Sequence, residues 1–119
     1  MKFNFFYCSL ECPSNYILHN GRCYRFADGA GDAISWYDAR DQCEKDGEGF
    51  DLVVINDSEE NQFIKDKIEN EFYQNEFWIG LIENDNDDDF EWVDSSELSY
   101  TDWKSGGKNE VMYISFFIP

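Results

Sequence analysis

The residues best placed to do chemistry are the carboxylates Glu83, Asp85, Asp87, Asp88 and Asp89, which sit between two aromatic stretches, 77–81 and 90–93. Like charges at this density repel one another, so the run is tolerated only where water solvates it or a cation sits among its oxygens. An EF-hand is excluded, because counting from Asp85 puts Phe90 where that loop needs glycine and Ser96 where it needs glutamate. Glu83 with Asp87 has the composition of an acid and base pair, yet no motif buries either carboxylate. His19 stands beside the turn residues Asn20-Gly21 with no serine or cysteine nucleophile set against it, and a triad needs that geometry. The chain is therefore expected to have no enzymatic activity, with His19 at the surface.

Four cysteines, Cys8, Cys12, Cys23 and Cys43, all fall in the first 43 residues. With no Cys-x-x-Cys pair and a single histidine, a zinc cage is disfavoured and a disulfide framework is expected, which implies an oxidising compartment. Three pairings of four cysteines exist, and spacing does not choose among them.

The elements that must position these groups can be read in chain order. Tyr16-Ile17-Leu18 and Arg22-Cys23-Tyr24-Arg25-Phe26 alternate around Asn20-Gly21 as a hairpin does, which brings Cys12 and Cys23 near each other. Ser35 can cap a helix with Asp38 at its third position, Trp36, Ala39, Gln42 and Cys43 forming the inner face and Gly47 the stop. Leu52, Val53, Val54 and Ile55 read as a buried strand. Asp57 then caps a second helix with Glu60 completing the box; Phe63, Ile64, Lys67 or Ile68, and Phe72 line one side and Lys65, Asp66 and Glu69 face water. Phe77, Trp78, Ile79 and Leu81 lead into the acidic connection, and Phe90, Trp92 and Val93 bring a strand back. Trp36, Trp78, Trp92 and Trp103 are expected in the core. Asn56-Asp57-Ser58 matches a glycosylation sequon while doubling as the start of the second helix.

A chain of 119 residues suits one domain, and 42% hydrophobic with 18% aromatic content argues for a packed core despite 29% charged residues. The formal net charge of -17 repels phosphate backbones and anionic membranes, so nucleic acid is excluded as a partner while cations, basic proteins and neutral ligands stay open. The opening MKFNFFYCSL has no full apolar region or small-residue cleavage site, so a signal peptide is not demonstrated. No apolar run is long enough to span a bilayer, so no transmembrane segment is expected.

Taken together, Cys12-Pro13, Tyr16, Cys23-Tyr24, Trp36-x-x-Ala39-x-x-x-Cys43, Leu52-Val53-x-Ile55, Glu60, Phe63-Ile64, Trp78-Ile79-Gly80-Leu81, Phe90-x-Trp92-x-Asp94 and Tyr100-x-x-Trp103 resemble a C-type lectin-like domain over about residues 11–110. The resemblance implies an α+β C-type lectin-like fold in which two helices flank antiparallel strands and a long loop carries ligand. It implies an extracellular recognition domain, secreted or part of an ectodomain, with glycan or glycoprotein as the ligand class. The bridge it implies is Cys12 with Cys23, leaving Cys8 and Cys43 free or paired with each other.

The family's calcium and sugar site uses Glu-Pro-Asn or Gln-Pro-Asp and a later Trp-Asn-Asp. Counted from Trp103, the triplet falls on Gly107-Lys108-Asn109, and no Trp-Asn-Asp occurs. Glycine removes an oxygen ligand and an ammonium opposes a divalent cation, so only Lys108 and Asn109 remain as candidate ligand-binding residues. The auxiliary calcium positions fall instead on Glu83, Asp87 and Glu110, where a weak site is expected. The alternatives are a calcium-independent protein-binding module and a truncated, inactive product. The resemblance implies three segments: a lead at 1–10, an incomplete lectin-like domain at 11–110 and an apolar tail at 111–119. The tail is read as foreign to the domain, which would leave Trp92 and Trp103 with incomplete cover.

Overall fold

A computed structural model describes residues 11–27, 34–72, 77–85 and 89–102. Asn20 and Gly21 both take positive φ, 47° and 75°, as the two central residues of a tight hairpin turn must. They fold β1 (Ile17–His19) onto β2 (Arg22–Tyr24) in the register Ile17↔Tyr24, Leu18↔Cys23 and His19↔Arg22. A disulfide joins Cys12 to Cys23, with Cα atoms 5.5 Å apart, so the segment before β1 is tied to β2.

The helix α1 (Trp36–Lys45) starts where Ser35 accepts a hydrogen bond from the Asp38 amide, and buries Ala39 and Cys43. It ends at Asp46, whose amide bonds the Cys43 carbonyl, and Gly47 follows at φ 151°. The helix α2 (Ser58–Glu71) begins with the Asp57 side chain accepting from the Glu60 amide at 2.8 Å, and buries Glu60, Asn61, Ile64 and Ile68. Both starts follow from short polar side chains that satisfy amides with no partner inside the helix. A second antiparallel pair, β3 (Leu81–Asn84) and β4 (Asp89–Trp92), completes the regular elements among the described residues.

The core gathers Tyr24, Ala39, Cys43, Leu52, Val53, Val54, Ile55, Ile64, Ile68, Phe77 and Trp92. It is thus built from one face of each helix, the second strand of each hairpin, the apolar run between the helices and Phe77 ahead of β3.

Several expectations are corrected. Leu52–Ile55 is fully buried but pairs in no strand ladder among the described residues; the Gly80 amide reaches the Val53 carbonyl at 2.8 Å, a single bond in place of a ladder. Gln42 is exposed, since a polar side chain at the edge of the stripe turns to water. The hairpin after Phe77 starts only at Leu81, and Glu83 and Asp89 lie inside its strands and not in the connection. His19 is half-buried, its ring stacked on Phe63 of α2 at 3.8 Å with Nε2 buried and unbonded. Trp92 is 5% exposed, so it is covered. Cys43 is a free, buried thiol, one of the two states expected of it, and Cys8 lies outside the described residues. Trp103 and the tail lie outside the described residues.

Candidate functional site

The site that the sequence points to is the β3–β4 hairpin and the chain leaving it. The register Leu81↔Trp92, Ile82↔Glu91, Glu83↔Phe90 and Asn84↔Asp89 runs from a buried end, at Trp92, to an acidic end where Glu83, Asp85 and Asp89 are all exposed. The hairpin therefore roots in the core and carries its carboxylates outward. Exposure relieves the repulsion among them through solvation.

Two tryptophans fix the segment that enters β3. The Trp36 indole donates to the Ile79 carbonyl and the Trp78 indole to the Ile34 carbonyl, both at 2.8 Å. The two rings are half-buried and their N–H groups are spent on the backbone, as amphipathic aromatics require when partly covered. Gly80 follows directly on these anchors: its amide bonds Val53 and its carbonyl accepts from the Val93 amide at 2.8 Å. Glycine is needed there, because a Cβ would sit 2.8 Å from the Leu52 carbonyl oxygen and from Val93 Cγ2.

The chain leaving β4 is pinned in turn. Asp94 Oδ1 accepts from the Ser96 amide at 2.9 Å, and bonding to Ser96 holds the Asp94 carboxyl below the usual carboxylate range. Further on, Asn61 Nδ2 donates to the Tyr100 hydroxyl at 3.0 Å and to Asp102 Oδ2 at 2.8 Å, and Lys65 donates to the same Asp102 oxygen. The Lys65 ammonium is the main cause lowering the Asp102 pKa. The face of α2 thus sets where residue 102 stands.

Glu60 supports this arrangement from the other side. One of its oxygens accepts from Arg22 Nη1 and from the Tyr24 hydroxyl, both at 2.8 Å, and the other from the Asn56 amide at 2.9 Å. Burial first, then the Glu60 bond, push the Tyr24 hydroxyl pKa well above its ordinary value. The first hairpin is thereby bolted to α2. Sequence reasoning placed Glu60 in a capping box with Asp57 but missed its burial and its long-range partners, and it missed Asn61 altogether. A polar pair at the start of a helix, next to apolar Ile64 and Ile68, was the available signal.

Of the residues expected to hold calcium, Glu83 is placed: it is exposed near the acidic end of β3, where a carboxylate could serve as one oxygen donor. Asp87 and Glu110, and the candidate ligand residues Lys108 and Asn109, lie outside the described residues, as does Cys8. Among the described residues no group of three or more His, Cys, Asp or Glu is arranged to hold a metal ion. No described helix is long and apolar enough to cross a membrane.

A family model for the lectin C-type domain matches residues 32–113, more than half of the chain. The chain belongs to the C-type lectin family. Perlucin-like protein of Mytilus galloprovincialis is 36% identical over 102 residues, 84% of this chain and 62% of the relative, so the chain spans less than two thirds of that protein. The cow carbohydrate-recognition domain of CD23, solved in the presence of a GlcNAc2Man3 oligosaccharide, superposes with a TM-score of 0.70 at 32% identity, covering 85% of this chain and 71% of that one. The Ca2+-independent C-type lectin SPL-2 of Saxidomus purpuratus superposes with a TM-score of 0.69 at 30% identity, covering 80% and 65%. The two helices and the short antiparallel strands are those of an α+β C-type lectin fold, as the resemblance implied.

Proposed function

We propose that this C-type lectin domain is an extracellular, non-catalytic recognition module that binds glycan without calcium in the long-loop triplet. The superposition on a lectin domain solved with an oligosaccharide carries the ligand class. The Gly107-Lys108 pair argues against a primary calcium ion, since it removes a carboxylate and adds an ammonium. A structural relative described as calcium-independent supports the same division. The Cys12–Cys23 bridge supports an oxidising, extracellular setting. Lys108 and Asn109 are the proposed ligand contacts. Glu83, Asp87 and Glu110 are proposed as a weak auxiliary cation site that glycan binding does not require.

A second reading, a protein-binding module, is favoured by the same loss of the triplet together with the net charge of -17, which complements a basic partner. A glycan array probed with and without a chelator decides between them. Glycan signal that survives the chelator is expected, and signal abolished by it would overturn the calcium-independent reading. No glycan signal from folded protein, with capture of basic proteins instead, would favour the second.

A further inference from the structure

We propose that Asn56 is an N-glycosylation site, modified as the chain passes through the secretory compartment. The sequence contains one Asn-x-Ser/Thr tripeptide, Asn56-Asp57-Ser58, the acceptor pattern for this modification. The fold then sorts its atoms by task. The Asn56 amide is held by Glu60 Oε2 at 2.9 Å, and the Asp57 carboxylate caps α2 by accepting from the Glu60 amide at 2.8 Å. Structural duty therefore falls on the backbone of Asn56 and the side chain of Asp57. The two groups a transferase must engage, the Asn56 carboxamide and the Ser58 hydroxyl, belong to residues that are both exposed.

Position matters as much as exposure. Ile55 ends the buried run at 6% exposure, and Asn56 is the first residue out of the core, ahead of α2 and not within it. A bulky, hydrated oligosaccharide attached there stands in solvent and displaces no packed side chain. A sequon one residue earlier would drive it into the core.

The transfer balances without any redox step. Asn56 Nδ2 attacks C1 of an oligosaccharide carried on a lipid pyrophosphate; the N–C1 bond forms and the bond from C1 to the phosphate oxygen breaks. The lipid pyrophosphate leaves with the electron pair, and Nδ2 gives up one proton to a base on the transferase. The donor and the enzyme belong to the oxidising compartment in which Cys12 and Cys23 are joined.

The proposal rests on the extracellular reading only for entry into that compartment, and the test supplies entry so that the two fail separately. The full chain is translated behind a cleavable secretory leader with endoplasmic-reticulum microsomes, and only chains protected from added protease are scored. Wild type is expected to give a slower band that peptide N-glycosidase collapses; Asn56→Gln and Ser58→Ala should lose it, and Ser58→Thr should keep it. Protected wild-type chains without the slower band, or a glycosidase-sensitive band that persists in Asn56→Gln, overturn the proposal. Because the readout is a band on translocated chains, a variant that folds poorly still reports.

Discussion

Glu60 is a carboxylate only 6% exposed, and it persists there because Arg22, the Tyr24 hydroxyl and the Asn56 amide supply the donors that water would otherwise give. Removing it leaves a buried tyrosine hydroxyl and a backbone amide unsatisfied, at a cost that far exceeds the net gain of making the bonds. Glu60→Ala is therefore expected to lower unfolding free energy by about 3 kcal/mol, against about 1 kcal/mol for Tyr24→Phe, as measured by urea denaturation. Equal effects would show that the carboxylate is not the hub. Cys43 acts at the same scale through its proton. Burial pushes its thiol up to about 12, whereas an unfolded cysteine titrates near about 8.5. Between those values the unfolded chain has released a proton that the folded chain retains, so stability is whole below about pH 8.5 and falls by about 1.4 kcal/mol per pH unit above it. Tyr16, likewise raised to about 12 by burial and the Asp46 bond, steepens the fall above about pH 10. Comparison of urea midpoints at about pH 8 and about pH 10 should show the loss in wild type, and Cys43→Ala should flatten its first part.

Among the elements, the apolar run 52–55 and the β3–β4 hairpin depend on Gly80, where two backbones approach within hydrogen-bonding distance of a third. A methyl group there meets carbonyl oxygens at 2.8 and 2.9 Å, and backbone oxygen cannot rotate away. Gly80→Ala should cost about 2–3 kcal/mol. At Gly21, by contrast, nothing lies within 4 Å of an added Cβ and only the φ of 75° opposes it, so Gly21→Ala should cost about 1 kcal/mol. Denaturant midpoints in the reverse order would refute the close-approach argument. The contrast also explains what the sequence could show. The Asn20-Gly21 turn, the Ser35 and Asp57 caps and the burial of 52–55 were legible, because each is decided by neighbours within a few residues. The lack of a ladder at 52–55 was not, since strand pairing depends on partners distant in sequence. Nor were the roles of Glu60 and Asn61, whose side-chain partners lie 36 to 41 residues away. For the candidate site, the family resemblance pointed to Glu83, which lies exposed in β3; the bonds that hold Tyr100 and Asp102 against α2 had no local signature.

For the molecule as a whole, a net charge of -17 on 119 residues means that folding gathers like charges which the unfolded chain holds further apart. At about 10 mM salt the Debye length is about 30 Å and the charges act on one another across the domain; at about 150 mM it is about 8 Å and only neighbours interact. The thermal midpoint should therefore rise over that range of sodium chloride. A cation site at Glu83, Asp87 and Glu110 predicts something that screening does not. Screening treats calcium and magnesium alike at matched ionic strength, whereas a site of large, flexible oxygen geometry favours calcium. With an affinity typical of extracellular modules, about 0.1–1 mM, calcium at about ten times its Kd adds about 1.4 kcal/mol to stability. Calcium should thus raise the midpoint above the magnesium control, and Glu83→Gln should remove the excess while leaving the sodium chloride response intact. Equal shifts with the two ions in the wild type would reduce the acidic hairpin to a solvated surface and remove the auxiliary site. The chelator-resistant glycan binding proposed for the loop would still stand, because it draws on residues after Trp103 and not on Glu83.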